Sequence, residues 1–277
     1  MKVLFITLSN IGDAVLTTPA ITAILENFKD AEITLMVSPR ALDLFKGDPR
    51  FAQIVIYRKD APFGKKMALI KSLRAIEFDL LVDFKDSMLP FLLYAKRKTL
   101  GIKKPPSYIK HMKDRHLWRL QQAAPEILKK DYRPYIWIPE DVSNEVDGIF
   151  QSNGISAEDR VVSVACGSRS HTKQWTKEGF LSVSSRLVKE LNVKVVLVGD
   201  QQDSSLCGEI ASNVGPGLID LCGKTSLKQL AAVLKKSSLL ITNDSAPMHI
   251  AWAVQTPVVA IFGPTTRKNT GRLGQGI

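Results

Sequence analysis

Short, near-continuous apolar runs alternate with segments of helical period, and this alternation occurs twice along the chain. Residues 2–8 form the first such run, followed by helical spacing over 17–28. Runs at 33–37, 53–57 and 79–83 and an amphipathic stretch at 65–77 continue the series. Strands this short and uniformly apolar are buried on both faces, which happens in parallel sheets covered by helices. The series breaks at a basic, proline-containing region and restarts at 160–165. Helical 177–190, strand 194–198, helices 201–212 and 227–235, strand 238–242, helix 246–254 and strand 257–262 complete it. Two βαβ series predict an α/β chain of two Rossmann-like, doubly wound domains, over 1–145 and 146–277, with a linker near 138–158. Right-handed crossovers put the loop after every strand at one edge of its sheet, where ligands bind.

Composition narrows the class. At 45% hydrophobic and 23% charged over 277 residues, the profile is that of a globular protein. No apolar run reaches the roughly 18–20 residues of a membrane-spanning helix. The apolar start ends at Ser9-Asn10 with Gly12-Asp13 beyond it, so it is read as a buried strand rather than a signal peptide. Cys166, Cys207 and Cys222 are far apart and include no C-x-x-C pair. Neither a disulfide framework nor a zinc site is expected, and a reducing cytoplasm fits best. Of the net +11, a charge of +9 comes from residues 96–133, where twelve Lys and Arg face three acids. Such a patch attracts an anionic partner, unless it is simply a solvated face. It has few interleaved aromatics and no nucleic-acid motif, so a nucleic-acid role is not expected. The chain closes on a glycine-rich stretch directly after a strand, where another helix is expected, and is read as a possible fragment.

Three blocks could carry chemistry. Ser9-Asn10-Ile11-Gly12-Asp13 comes directly after the first strand and places Asp13 in the first turn of the next helix. There it either complements the helix dipole or serves as a base for a sugar hydroxyl, and spacing alone favours the former. Residues 165–175 come after the first strand of the second series. Their Gly167-Ser168 turn, with Arg169 and Lys173, could cradle a diphosphate, although G-x-x-x-x-G-K-[ST] is absent. His171 is read as a loop residue rather than a ligand. In the third block Asp244, Ser245 and His249 cluster at a strand-to-helix handover, more polar groups than a helix cap requires.

Together these blocks resemble glycosyltransferase family 9, typified by the ADP-heptose:lipopolysaccharide heptosyltransferases. The matching stretches are N-I-G-D-A-V-L-T-T-P-A, G-S-R with T-K-Q-W, G-K-T-S-L-K-Q-L-A, and N-D-S-A-P-M-H-I-A with T-P-V-V-A-I-F-G-P-T. They run in the family's order. The resemblance implies a GT-B fold, acceptor bound by the first domain and nucleotide sugar by the second, in a central cleft. It implies Asp13 as general base, with Ser168 and Lys173 on the donor phosphates and Thr225 near the nucleoside. Asp244, Ser245, Ala246 and His249 would line the sugar-diphosphate pocket. The loop before Lys173 is one residue longer than usual, the family often has Gly at Ala246 and Asp at Thr266, and it continues past this end.

The reaction implied by the resemblance is inverting transfer of a sugar, expected to be heptose from ADP-heptose, onto a lipopolysaccharide core, with no cofactor. Asp-x-Asp is absent, so no metal clamp on the diphosphate is expected. Lys103, Lys104 and Lys110 of the basic segment are expected to hold an anionic glycolipid acceptor, with peripheral contact at the inner face of the cytoplasmic membrane. A nucleotide-sugar epimerase of GT-B architecture and a truncated, non-catalytic nucleotide-sugar binder remain alternatives.

Overall fold

The computed structural model describes residues 1–101 and 104–263. The chain divides into two compact units, Met1–Tyr135 and Ile136–Ile277. No helix among the described residues is long and apolar enough to cross a membrane.

The first unit contains β1 (Lys2–Ile6), α1 (Ile11–Asn27), β2 (Glu32–Val37), α2 (Leu42–Phe45), β3 (Phe51–Ile56), α3 (Phe63–Arg74), β4 (Phe78–Asp83), α4 (Leu89–Leu92), β5 (Ala95–Lys98) and α5 (Met112–Ala123). Its strands are parallel, in the order β3-β2-β1-β4-β5. Val3, Leu4, Phe5 and Ile6 are all buried, as a central strand covered on both faces requires. α1 tolerates a proline in its interior because of a side-chain repair. Pro19 has no N–H to offer the Val15 carbonyl, and the Thr18 hydroxyl donates to that oxygen instead, at 2.8 Å.

The second unit repeats the plan with α6 (Glu140–Ser152), β6 (Val161–Ala165), α7 (Lys177–Leu191), β7 (Lys194–Leu197), α8 (Ser204–Val214), β8 (Leu218–Asp220), α9 (Leu227–Lys236), β9 (Leu239–Asn243), α10 (Ala246–Ala253) and β10 (Val258–Ile261). The parallel order is β10-β9-β6-β7-β8. In both sheets the strand order reverses beside the unit's first strand, β1 in one and β6 in the other.

Two expectations are corrected. The stretch read as a linker holds α6, which buries Val146 and Phe150 four residues apart and packs against α9. The cysteines are not all free. Cys207 on α8 and Cys222 after β8 form a disulfide with Cα atoms 6.5 Å apart, because helix and strand pack side by side. Fifteen residues of sequence separation gave no sign of that proximity.

Candidate functional site

In the second unit, parallel strands bring the loops after β6, β7, β8, β9 and β10 to one sheet edge. Two side-chain links join the loops after β6 and β9, which flank the point where strand order reverses. Asn243, fully buried at the end of β9, accepts from the Trp175 N–H at 2.9 Å through Oδ1. Its Nδ2 donates to the Cys166 carbonyl at 2.7 Å and, more weakly, the Gly167 carbonyl at 3.4 Å. The Lys173 ammonium donates to Asp244 Oδ2 at 2.8 Å, and Asp244 is buried. Gln174 donates to the Ser168 carbonyl, closing the same loop on itself.

Glycines mark where these loops touch. A side chain at Gly167 would overlap the Asp203 carboxylate after β7, and one at Gly223 would meet Gln201. One at Gly263 would strike the Thr172 carbonyl. Burial raises the Asp203 carboxyl above its usual range. Burial, with Asp203 and Asp220 nearby, pushes the Cys166 thiol up to about 12, so it is no thiolate nucleophile. A carboxylate oxygen of Asp220 and the sulfurs of Cys207 and Cys222 lie within 4.8 Å of one another, a grouping of metal-ligating types. With the two sulfurs bonded to each other, neither is a thiolate for an ion.

Ser245 is the N-cap of α10, but its side chain makes no cap bond; its hydroxyl lies 3.3 Å from that of Thr242. Ala246 is the first helical residue and His249 is buried one turn in. The edge therefore offers a helix N-terminus, the Lys173 ammonium and the Asp244 carboxylate together, able to hold an anion and a hydroxyl side by side. Lys173, Asp244, Ser245 and Ala246 come together, with Ser168 in the adjoining loop. Thr225 stands apart, just before the Ser226 cap of α9 and beyond β8, two strand spacings or roughly 10 Å from β6. Asn243 lay inside a recognised motif, yet its role in tying two loops together has no signature in spacing.

A family model described as glycosyltransferase family 9 (heptosyltransferase) matches residues 66–276. The chain belongs to this family. It is 28% identical to lipopolysaccharide heptosyltransferase 3 of Escherichia coli K12 over 92% of its own length and 80% of that protein's. A family 9 glycosyltransferase structure from Veillonella parvula superposes with a TM-score of 0.87 at 21% identity, covering 98% of this chain and 82% of that one. The structure of E. coli ADP-heptose lps heptosyltransferase II gives 0.81 at 20% identity, covering 98% and 87%. The chain is thus a glycosyltransferase of the GT-B class.

In the first unit of this family 9 chain, Asp13 occupies the first turn of α1 at the carboxyl edge of β1. Ser38 holds the preceding turn by donating to the Ser9 carbonyl at 2.7 Å. Asp13 is half-buried and accepts one hydrogen bond among the described residues, Asn10 Nδ2 to its Oδ2 at 2.9 Å. Its Oδ1 has no partner there. Across the reversal point, Asp83 is buried and accepts from the Lys85 N–H, the Ser87 N–H and the Ser87 hydroxyl.

Lys104 and Lys110 are exposed on the connection between β5 and α5, and Lys103 lies outside the described residues. The basic segment is less one-sided than its sequence. Lys96, Arg97, Lys113, Arg119 and Lys130 pair with Asp79, Glu126, Asp131, Asp86 and Glu26, three of which come from outside it.

Proposed function

We propose that this chain transfers heptose from ADP-heptose to a hydroxyl of a lipopolysaccharide core, with inversion and without a metal ion. The donor and acceptor are taken from the names of its relatives, an E. coli lipopolysaccharide heptosyltransferase and an ADP-heptose enzyme. The observation that carries the reading is the open Oδ1 of Asp13, a half-exposed carboxylate at the ligand edge of the first unit's central strand. In the reaction, the acceptor hydroxyl attacks the anomeric carbon as the bond to the diphosphate breaks. Asp13 takes the hydroxyl proton, and the departing diphosphate takes up the bonding electron pair. Negative charge then grows where Lys173 and the N-terminus of α10 supply cationic and N–H stabilisation without reorganising. Ser168 assists at the phosphates, Thr225 lies by the nucleoside, and Asp244, Ser245, Ala246 and His249 line the sugar-diphosphate pocket. Acceptor belongs to the first unit and donor to the second.

Lys103, Lys104 and Lys110 hold the anionic acceptor at the inner face of the cytoplasmic membrane. The test is Asp13→Asn. Transfer should fall by roughly 10²–10⁴, the range for losing a positioned base, while calorimetric binding of ADP-heptose stays within twofold. Native turnover should persist in EDTA. Undiminished transfer by the variant removes Asp13 as base, and strict dependence on Mg²⁺ removes the metal-free mechanism.

A further inference from the structure

From Arg58 to Ile76 six cations face one carboxylate, Asp60. The helix within this stretch, α3, contains Lys65, Lys66, Lys71 and Arg74 and no acidic residue. It is also shallowly packed, with Leu73 its one buried residue. Leu69, Ile70 and Leu73 sit on the same core cluster as Leu89 and Leu93, so α3 and α4 cover one face of the first sheet side by side. Arg74 Nε donates to the Leu92 carbonyl at 2.9 Å, which joins the flank of α3 carrying Arg74 to α4. Phe63 and Met67, at i−11 and i−7 from Arg74, lie on that same flank.

The surface so formed is apolar as well as basic. Phe63 is 77% exposed, Met88 67%, Tyr94 66% and Phe91 64%. Large aromatic and sulfur-bearing side chains this exposed, carried by two neighbouring elements, make a surface that solvation alone does not call for. Among the described residues Lys66 and Lys71, about 60° and 80° round the helix from Phe63, have no ion-pair partner, whereas five cations of the 96–133 segment, Lys96, Arg97, Lys113, Arg119 and Lys130, are paired. Apolar rings flanked by unpaired cations match the boundary of an anionic bilayer, where rings enter the headgroup region and ammonium groups meet phosphates.

We propose that the α3–α4 face docks this protein onto an anionic lipid bilayer, with Phe63 and Phe91 inserted and Lys66 and Lys71 on the headgroups. This deepens the membrane contact proposed above and moves its seat from the 96–133 segment to α3–α4. It uses no residue of the catalytic reading.

The test is flotation of the full chain with vesicles of phosphatidylcholine containing 30% phosphatidylglycerol, and with phosphatidylcholine alone. Binding is expected to the anionic vesicles only and to weaken with salt. The double change Lys66→Gln, Lys71→Gln should weaken it roughly thirtyfold, at about fivefold per cation. The double change Phe63→Ser, Phe91→Ser should abolish flotation although every charge remains. Phe91→Trp should show emission quenched by lipids brominated in the acyl chain. Both surface variants should melt at the native temperature and transfer sugar to a soluble, deacylated acceptor at the native rate. That arm separates a failed docking face from a failed enzymatic reading. No binding to anionic vesicles, equal binding to neutral ones, native binding by either variant, or an unquenched tryptophan overturns the proposal.

Discussion

Replacing Asn243 with alanine should loosen the loop after β6, proposed above to meet the donor phosphates, without removing any group proposed to touch the donor. The side chain is wholly buried and supports the loop after β6 from the end of β9. Alanine strands the Trp175 N–H and the Cys166 carbonyl. An unpaired buried group costs about 1–3 kcal/mol. Trp175 is partly exposed and its N–H can find water, while Cys166 is fully buried and its carbonyl cannot. The expected loss is therefore about 2–3 kcal/mol, read as a lower urea midpoint at unchanged slope. If the loop instead opens while the unit stays folded, the same energy appears as a roughly 30- to 150-fold weaker affinity for ADP, since about 1.4 kcal/mol is tenfold.

Asparagine-to-aspartate gives the sharper form of the experiment. Aspartate keeps an oxygen for Trp175 but sets a carboxylate where Nδ2 now stands, 2.7 Å from the Cys166 carbonyl. At pH 7 the aspartate variant should be at least as unstable as the alanine one. It should recover as pH falls, because the protonated carboxyl can again donate. An alanine variant with native midpoint and native ADP affinity, or an aspartate variant as stable as native at pH 7, would refute the argument.

The first unit gives two further outcomes. Lys104→Gln with Lys110→Gln should raise the acceptor KM severalfold and leave the donor KM unchanged in steady-state assays; a rise in donor KM instead would remove these lysines from the acceptor site. His116 is buried against Phe84, ring centroids 4.5 Å apart, with both ring nitrogens lacking hydrogen-bond partners among the described residues. Burial first, then Arg119 and Arg115, lower its pKa to about 3. Below about pH 6.5 the unfolded chain gains a proton that the folded chain refuses, so stability falls with falling pH, by about 1.4 kcal/mol per unit and ~2–3 kcal/mol from pH 6.5 to 4.5. His116→Phe should flatten that part of the urea-midpoint profile, and an unchanged slope would show that other groups set it.

The strands legible in sequence were those whose environment is uniform. β1, β4 and β6 are buried on both faces and read as apolar runs. β5, Ala-Lys-Arg-Lys, was hidden inside the basic segment because it is an edge strand. Its cations guard the edge and satisfy neighbours, Lys96 on Asp79 and Lys98 on the carbonyls of Pro90 and Leu93. The same reason made the segment look like a free cationic patch. Ion pairs to Asp79, Asp86 and Glu26 join residues that only the fold brings together. α6 does carry a legible stripe, Val142, Val146, Ile149 and Phe150 at i, i+4, i+7 and i+8, which the proline-containing approach through Pro134 and Pro139 disguised as a linker.

Both sheets reverse strand order beside their first strand, and in each unit polar candidates sit on the loops that flank that point. Topology thus explains why these loops hold the candidates, but it does not say which carboxylate is free to do chemistry. Hydrogen-bond inventory decides that. Asp83 spends its acceptors on the turn after it and is buried, so it shapes the loop. In the second unit Asp203 lies against Gly167 and receives the Asp200 N–H within a capping box, and Asp244 is engaged by Lys173. Asp13 is half-buried, takes a single bond among the described residues, and keeps one oxygen open at the ligand edge of the unit assigned to the acceptor. A group that must accept a proton during a reaction cannot have its lone pairs committed to the fold. On that ground the proposed base is Asp13 rather than its better-buried neighbour across the reversal point.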